Sequence, residues 1–160
     1  MSQIRTRPLS ADDVEAAAAI YFDAVHKGTA DVYSDAERKA WAGSAPDPVA
    51  WQYKLQRIEG IAAQSDGVMI GFMTLDAGGY IDLAFVRSDY ARRGVGRCLY
   101  QWVEARAVAA GIERLTTEAS KAARPFFAAL GWQVDQEQVV IMDGVGLTNY
   151  KMSKRLGTKA

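Results

Sequence analysis

The sequence between Tyr80 and Glu104 constrains the fold more than any other part of the chain. The segment Tyr80-Ile-Asp-Leu-Ala-Phe-Val86 is mostly apolar, aromatic or branched, which predicts a buried β-strand. A stripe of residues at three- and four-residue spacing then predicts a helix that opens at Gly94-Val-Gly96. The stripe comprises Val95, Leu99, Trp102, Val103, Arg106 or Ala107, and Ala110. A short loop with two adjacent arginines therefore joins a strand directly to a helix.

This strand–loop–helix junction has the features of an anion-binding site. The first turn of a helix leaves about four backbone N–H groups without partners, and the helix dipole makes that end partly positive. Gly94 and Gly96 let an anion approach these amides, while Arg92, Arg93 and Arg97 supply positive charge. We expect a pyrophosphate group to bind here. On the glycines alone, a turn with solvated arginines is the alternative.

Two better-known phosphate loops do not match these residues. A P-loop requires Gly-x-x-x-x-Gly-Lys followed by Ser or Thr, whereas Gly96 is followed by Arg97 and Cys98. The dinucleotide fingerprint Gly-x-Gly-x-x-Gly requires a third glycine, and this chain has Leu99 at that position. Neither type of nucleotide loop is therefore predicted.

The segment Ala91-Arg-Arg-Gly94-Val-Gly96 resembles the acetyl-CoA loop of the GNAT superfamily of N-acetyltransferases, which reads Gln/Arg-x-x-Gly-x-Gly/Ala between a strand and a helix. Ala91 departs from that pattern, but the loop works mainly through backbone amides. Residues 85–90 resemble the family's strand end, and residues 123–132 resemble its penultimate helix with the Gly-aromatic pair that follows. The resemblance covers nearly the whole chain. Three segments further resemble a bacterial branch of uncharacterised GNAT proteins similar to YafP: 26–41, 117–127 and 147–152.

The order of predicted elements indicates an α+β fold with a mixed α/β layer, in one domain over residues 1–160. The resemblance implies a twisted, mostly antiparallel sheet flanked by helices. It also implies a V-shaped splay between the strand before the loop and the strand after the main helix, which the acetyl-pantetheine arm enters. The predicted elements are a strand at 3–8, helices after Ser10 and Ser34, a helical piece around Trp51, a hairpin around Asp66-Gly67, the junction at 80–110, a strand at 115–119, a helix at 121–130, and strands at 134–142 and 148–153.

The charge balance gives no reason to expect a nucleic-acid or membrane partner. The 19 Lys and Arg residues are balanced by 19 Asp and Glu residues. Acids nevertheless predominate between Ser10 and Glu59, and bases predominate between Arg87 and Arg124. A phosphorylated cofactor on the basic part and a cationic amine beside the acidic part suit this division. Two solvated charged surfaces are the alternative.

The single cysteine and the hydropathy pattern indicate a cytoplasmic protein. Cys98 has no partner for an intramolecular disulfide, and we interpret it as a packing residue. No apolar run reaches the roughly 18 residues that a membrane span requires, and no signal peptide is recognised. The composition, with 49% hydrophobic and 24% charged residues, is that of an ordinary soluble protein. The sequence also permits a homodimer.

The resemblance assigns most of the cofactor-binding residues. It implies that the backbone of Phe85 and Val86 pairs with the pantetheine arm and supplies an N–H group for the oxyanion. The amides of Arg93, Gly94, Val95, Gly96 and Arg97 would hold the pyrophosphate, with charge from Arg92. The further expected cofactor contacts are Ser120, Phe126 and Phe127.

Direct acetyl transfer to an amine through a tetrahedral intermediate requires a neutral amine and a stabilised oxyanion. The family often has an acidic general base on the strand before the loop. Tyr80 and Asp82 share one face of that strand by its period of two, and Tyr80 lies nearest the usual acidic position. Asp82 is the preferred base. The alternative is a carboxylate that is satisfied by backbone or arginine.

The usual general acid of the family is missing. Phe127 stands where a tyrosine is expected, and Ser120 stands at an expected asparagine. Either the thiolate leaves unaided, which a thiol pKa of about 8.5 permits, or another group donates the proton. The candidates are Glu118, Ser120, Tyr90 and Tyr150.

The family builds its amine pocket largely from the first two helices and the late strands. In this chain that region contains His26, Tyr33 and Trp41, which we expect to bind substrate, besides Trp51 and Tyr53. Aromatic faces and acids suit a cation or a planar substrate. Because His26 is the only histidine and no cluster has ligand spacing, no metal is expected.

These features predict an N-acetyltransferase that moves an acetyl group from acetyl-CoA to a primary amine of a small molecule. Two alternatives remain open. Phe127 keeps a non-catalytic acyl-CoA-binding sensor in consideration. A protein acetyltransferase that acts on lysine or an N-terminus is less favoured, because the neutral chain has no recognisable peptide-docking segment.

Overall fold

A computed structural model describes residues 3–157 of the chain. These residues form eight strands and five helices, with short 3-10 turns before the first and the fourth helix. In chain order they are β1 (Ile4–Pro8), α1 (Val14–His26), α2 (Asp35–Ala42), α3 (Pro48–Gln56), β2 (Glu59–Ser65), β3 (Val68–Leu75), β4 (Tyr80–Ile81), β5 (Ala84–Val86), α4 (Val95–Ala109), β6 (Arg114–Ser120), α5 (Arg124–Ala129), β7 (Gln133–Met142) and β8 (Val145–Arg155). No helix in this part of the chain is both long and apolar enough to cross a membrane.

The strands form two four-stranded sheets. The first has the order β1-β2-β3-β5 and is antiparallel throughout. The second has the order β4-β6-β8-β7 and contains one parallel pair, β4 with β6. This mixed architecture confirms the predicted α+β fold, with mostly antiparallel pairing and flanking helices.

The predicted continuous strand from Tyr80 to Val86 is wrong, because it is interrupted at Asp82 and Leu83. Two buried threonines satisfy the backbone at the break. Leu83 N donates to Thr74 Oγ1 (3.0 Å), and Thr117 Oγ1 donates to Ile81 O (2.8 Å). Before the break the chain pairs with β6, and after it the chain pairs with β3. A V-shaped gap therefore opens between β5 and β6, as the resemblance implied.

The first two helices begin near Ser10 and Ser34, as the sequence predicted, and side-chain caps stabilise both starts. Ser34 Oγ accepts from Glu37 N (3.1 Å), and the Glu37 carboxylate accepts from Ser34 N (2.8 Å). Ser10 and Asp13 form a similar capping box ahead of α1. These reciprocal bonds satisfy amides that a helix start otherwise leaves without partners.

The hairpin between β2 and β3 is confirmed. Asp66 and Gly67 both have positive φ, 51° and 78°, as a tight two-residue turn requires. Other boundaries differ from prediction. The last short helix begins at Arg124, three residues later than expected, which places Pro125 in its first turn. β8 starts earlier and ends later than the alternation suggested, because its whole length pairs with β6 and β7.

Two hydrophobic clusters hold the helices against the sheets. Trp51 packs on Phe72 with ring centroids 5.6 Å apart, in the cluster that joins α1 and α3 to the first sheet. The other cluster surrounds α4 and includes Tyr100, whose hydroxyl accepts from Trp132 Nε1 (3.0 Å). The predicted α4 stripe omitted Tyr100, which is fully buried. This packing holds the N-terminus of α4 beside the V-shaped gap.

Candidate active site

The segment 91–97, at the start of α4, has a backbone shape that suits an anion and is called the anion loop below. After a 3-10 turn at Ser88–Tyr90, Arg92 and Gly94 both adopt positive φ, 62° and 83°. The first helical bond runs from Cys98 N to Gly94 O (3.0 Å). The amides from Val95 to Arg97 precede it, so they lie at the positive end of the helix dipole. This is the concave arrangement of N–H groups that binds phosphate in proteins.

The two loop glycines serve different purposes. Gly94 requires its positive φ, and a Cβ placed there would meet no atom within 4 Å. Gly96 has ordinary dihedrals, but its Cβ would lie 3.0 Å from Cε1 of Phe126. Gly96 therefore lets α5 pack tightly against the first turn of α4, which forms one wall of the anion site.

A cavity of about 670 Å³ runs from this loop into the V-shaped gap. Its walls come from β5, the loop, the start of α4, and α5, with a smaller contribution from α1. Arg93 is absent from the lining, and its guanidinium lies 5.3 Å from the centre of the Tyr90 ring. The predicted cofactor residues that line the cavity are Phe85, Val86, Arg92, Gly94, Val95, Gly96, Arg97, Ser120, Phe126 and Phe127.

The register of β5 determines which backbone groups face the gap. Phe85 lies opposite Phe72 in the antiparallel ladder. Hydrogen bonds on either side fix the pairing: Arg87 N to Ile70 O (2.8 Å) and Thr74 N to Leu83 O (2.9 Å). Because hydrogen-bonded pairs alternate along such a ladder, Phe85 also directs its peptide groups toward β3. Ala84 and Val86 direct theirs into the gap. We therefore move the expected backbone contact from Phe85 to Ala84 and retain Val86.

A second cavity, of about 330 Å³, lies on the other side of the gap. Aromatic, apolar and acidic side chains share its lining. The lining residues are Tyr21, Tyr33, Trp41, Lys54, Tyr80, Ile81, Asp82, Leu83, Ala84, Phe85, Thr117, Glu118, Ala119, Ser120, Ala123, Phe127, Val140, Met142, Leu147 and Asn149. The first cavity is called the cofactor groove below, and the second is called the acceptor cavity.

The cofactor groove and the acceptor cavity meet at the gap. Six residues line both: Trp41, Ala84, Phe85, Ser120, Ala123 and Phe127. A group carried along the groove therefore reaches the acceptor cavity beside the free backbone edge of β5. The shape permits transfer between two bound molecules without a covalent enzyme intermediate.

Three of the predicted catalytic side chains lie together in the acceptor cavity. Asp82 and Glu118 follow Ile81 and Thr117, the last residues that pair in the parallel ladder. Burial, and then the charges of Glu118, Asp82 and Asp76, raise the pKa of Tyr80 to about 12. Tyr80 therefore keeps its proton at neutral pH and is a hydrogen-bond donor, not a base. Asp82 and Glu118 are both exposed to the cavity and remain the candidates for the base.

The predicted substrate residues separate in the structure. Trp41 and Tyr33 line the acceptor cavity, whereas His26 lines neither cavity. The His26 ring packs on Phe22 with centroids 4.3 Å apart, and its Nε2 lies 2.8 Å from Gly43 O. The geometry thus corrects the expectation for His26, which ties the end of α1 to the end of α2.

Tyr33 is held firmly at the wall of the acceptor cavity. Its hydroxyl donates to Thr148 O (2.5 Å) and accepts from Lys121 N (3.0 Å). Burial is the largest cause that raises the pKa of this hydroxyl. Tyr33 therefore contributes its ring face to the cavity, while its hydroxyl joins the loop before α2 to β8 and to Lys121.

The candidates for the thiol proton occupy different places. Phe127 is buried at the meeting point of the cavities and cannot donate a proton. Ser120 lies at the same point, and its Oγ accepts from Ala123 N (3.0 Å), which leaves its own proton free for donation. Tyr90 lines only the groove, and Tyr150 lines neither cavity and packs under Arg124. Ser120 is therefore the best-placed hydroxyl.

Sequence reasoning missed several residues that form the site. Asp23 accepts hydrogen bonds from Ser88 N (2.7 Å) and Ser88 Oγ (3.0 Å), and thereby ties α1 to the turn before the anion loop. Lys54 and Tyr21 line the acceptor cavity from α3 and α1. The helical spacing of Tyr21 was visible, but nothing local indicates which helix face meets the cavity. Among residues 3–157 no group of three His, Cys, Asp or Glu side chains is arranged to hold a metal ion.

Comparison with known proteins establishes the family. The family model for an "Acetyltransferase (GNAT) domain" matches residues 29–154. The chain belongs to the GNAT acetyltransferase family. It is also 31% identical, over 95% of its length and 96% of the relative, to a protein named "Uncharacterized N-acetyltransferase YafP" from Escherichia coli (strain K12). Both findings confirm the resemblance that the sequence motifs indicated.

Solved structures share this GNAT fold. The crystal structure of a "GCN5-Related N-acetyltransferase: Aminotransferase, Class-II" from Rhodopseudomonas palustris is 35% identical, with a TM-score of 0.90 over 98% of both chains. The putative acetyltransferase yncA from Salmonella typhimurium, solved with its cofactor acetyl-CoA, has a TM-score of 0.71 at 19% identity over 98% of this chain and 96% of its own. The PaiA N-acetyltransferase from Thermoplasma acidophilum, solved with coenzyme A, has a TM-score of 0.73 at 18% identity. The match covers 96% of this chain and 99% of the PaiA chain. At these lower identities the likeness shows the fold.

We expect Asp23→Ala to weaken acetyl-CoA binding by this GNAT protein by about tenfold. The change removes both bonds to Ser88 and releases the turn that orients the anion loop. A charge-assisted hydrogen bond contributes on the order of 1.5–3 kcal/mol, part of which the loop regains by rearrangement. Calorimetric titration with acetyl-CoA measures the effect. Glu15→Gln, at an exposed position on the same helix, is the control. Equal affinity for acetyl-CoA in wild type, Asp23→Ala and Glu15→Gln would contradict a role for Asp23 in positioning the loop.

We expect the free energy of unfolding to fall between pH 10 and 12. Burial raises the pKa of Tyr21 from 10.0 to about 12. In that interval the phenol ionises in the unfolded chain but keeps its proton in the folded chain, so unfolding releases a proton and becomes more favourable as pH rises. Because the ring is part exposed, we expect Tyr21 to contribute only about 1 kcal/mol of this loss. Tyr33, Tyr80 and Tyr100, whose pKa values are also raised by burial, contribute to the rest.

Urea denaturation at several pH values tests this dependence. Tyr21→Phe should make the decline between pH 10 and 12 shallower, because its ring has no proton to release. Tyr53→Phe, at an exposed ring on α3, controls for the general loss of a hydroxyl. A decline equally steep in Tyr21→Phe and wild type would show that Tyr21 is not responsible.

Proposed function

We propose that this GNAT acetyltransferase transfers the acetyl group of acetyl-CoA to the primary amine of a small molecule. The meeting of the cofactor groove with the acidic acceptor cavity at Ala84, Phe85 and Ser120 is the observation that carries the proposal. One end of the groove presents the first amides of α4 beside Arg92 and Arg97, which suits a phosphate group, and the cavity beyond it contains two carboxylates. The groove and the cavity therefore suit an anionic donor and a cationic acceptor.

The residues of the groove fit acetyl-CoA. The positive φ values at Arg92 and Gly94 form a concave site, and Gly96 makes room for the wall at Phe126. We expect the loop amides to hold the pyrophosphate and the Val86 backbone to pair with the pantetheine arm. When bound, acetyl-CoA supplies a thioester whose acetyl group is activated for attack.

In the acceptor cavity, the chemistry assigned to this chain is proton removal and charge stabilisation. Asp82, or Glu118 beside it, accepts a proton from the ammonium group so that the neutral amine attacks. The Ala84 or Val86 N–H donates toward the oxygen on which negative charge develops. Ser120 is positioned to give a proton to the departing sulfur, which is already a good leaving group as a thiolate.

A non-catalytic acyl-CoA sensor is the second candidate function, and Phe127 is the observation that favours it. Its ring occupies the place of the family's usual proton donor, at the point where both cavities meet. Phe127→Tyr would restore a hydroxyl there. A sensor should bind acetyl-CoA and turn over no amine, with or without this change.

The decisive experiment combines calorimetric titration with acetyl-CoA and a thiol-release assay. The assay uses a panel of arylalkylamines, polyamines, aminoglycosides and lysine peptides. We expect binding and turnover of at least one small amine. Turnover restricted to peptides would favour a protein acetyltransferase, and binding without turnover would favour the sensor. Absence of binding would refute the assignment of the groove.

A further inference from the structure

The acceptor cavity contains a positive charge that amine acetylation does not need. Lys54 is the one Lys, Arg or His among the described residues that line this cavity. Its Nζ lies 4.7 Å from the centre of the Trp51 ring and 5.6 Å from the centre of the Tyr21 ring. Within residues 3–157 no carboxylate lies close enough to Lys54 to form a salt bridge. An ammonium group at this position repels a simple cation but can pair with an anion.

Aromatic rings connect Lys54 with the meeting point of the two cavities. The Tyr21 ring beneath Lys54 contacts Phe85 edge to face, with centroids 5.0 Å apart. Trp41 packs against both rings, with its centroid 6.4 Å from each. This surface offers apolar contact to a flat molecule. Its two ends differ in charge, because Asp82 lies in the break after β4, Glu118 lies on β6, and Lys54 lies on α3.

We propose that the acceptor is an amine with an aromatic or similarly flat body and a carboxylate on the side remote from the amine. The inference rests on the proposed acetyltransferase function. The ammonium group faces Asp82 and Glu118, the body packs on Tyr21 and Trp41, and the carboxylate pairs with Lys54. Lys54 is exposed, so water solvates its ammonium group when no carboxylate is bound. Selectivity comes from the charge-assisted hydrogen bond that the carboxylate forms with Lys54 and that an uncharged analogue cannot form.

The probes are a matched set of amines with the same reacting group. They are 4-(aminomethyl)benzoate, its uncharged methyl ester, and benzylamine. Because all three share one aminomethyl group, differences in kcat/KM report the far end of the molecule. We expect wild-type protein to prefer the acid over the ester by about fivefold, the upper scale of an ion pair at an exposed lysine.

Substitution of Lys54 assigns that preference to one side chain. Lys54→Met keeps the length and apolar contacts of the side chain but removes its charge, and we expect it to reduce the acid-to-ester ratio to about one. The acid-to-ester ratio is the readout, because any effect of the substitution that is common to both substrates cancels in it. Lys54→Arg should restore most of the ratio. Lys39→Met, at an exposed position on α2 outside both cavities, is the matched control.

The outcomes separate this inference from the function on which it rests. Calorimetry with acetyl-CoA and turnover of benzylamine test the acetyltransferase independently of Lys54. If none of the three amines is turned over, the acid-to-ester preference is measured instead from the two dissociation constants. These are determined by calorimetry in the presence of coenzyme A. A wild-type ratio near one, or an unchanged ratio in Lys54→Met, would overturn the inference while leaving the acetyltransferase intact.

Discussion

Gly94→Glu is expected to weaken acetyl-CoA binding by at least about 100-fold, or about 2.7 kcal/mol. The new side chain would begin in open space at the mouth of the anion loop, where its carboxylate repels the pyrophosphate. A residue with a Cβ is also disfavoured at φ 83°. Both effects act on the anion loop, to which we assign the pyrophosphate. The variant should therefore lose affinity for acetyl-CoA while the protein still folds.

Gly111→Glu provides the matched control for this experiment. Gly111 also has a positive φ, 76°, and a Cβ placed there would meet no atom within 4 Å. It follows the other end of α4, about 22 Å away by the rise of a 15-residue helix. Calorimetry and thermal unfolding should show that both variants lose similar stability and that only Gly94→Glu loses binding. Unchanged affinity in Gly94→Glu would refute the assignment of the loop.

For Asp82→Asn we expect kcat/KM to fall about 100-fold at pH 7, within the usual range for loss of a general base. An alkylamine is protonated at this pH, and the asparagine cannot accept its proton. The deficit should shrink toward pH 9.5, because a growing share of the substrate arrives neutral. A thiol-release assay across this pH range measures the change in profile.

Glu118→Gln decides between the two carboxylates that share the acceptor cavity. If Glu118 is the base, its variant should show the pH-dependent deficit and Asp82→Asn should keep the wild-type profile. Glu113→Gln, at an exposed position before β6, controls for the loss of a surface charge. Wild-type profiles in both cavity variants would remove proton acceptance from this pair altogether.

The sequence predicted features that depend on residues close together in the chain. Ser34 and Glu37 form a capping box three residues apart, and Asp66-Gly67 forms its turn through local backbone preferences. The anion loop at 91–97 is likewise specified by neighbouring glycines, arginines and the start of a helix. Short-range sterics and hydrogen bonding suffice for such features, so residue order alone indicates them.

Other features depend on contacts that the order of residues does not reveal. Asp23 bonds to Ser88 across 65 positions, and no local pattern at either residue indicates the pair. The interruption of the strand at Asp82 depends on hydroxyl groups from Thr74 and Thr117 on two other strands. Periodicity describes which side of an element is apolar, but it does not identify the neighbour on that side.

The division between sequence and tertiary structure is clearest at the site. By itself, the sequence indicated the family and the loop of glycines and arginines at the start of α4. Tertiary structure decided that the peptide groups of Ala84, and not those of Phe85, face the gap. It also decided that His26 lies outside both cavities and that Lys54 lines the acceptor cavity. The physical reason is that register and helix docking are set by the combined packing of distant segments, which buries apolar surface from all of them at once.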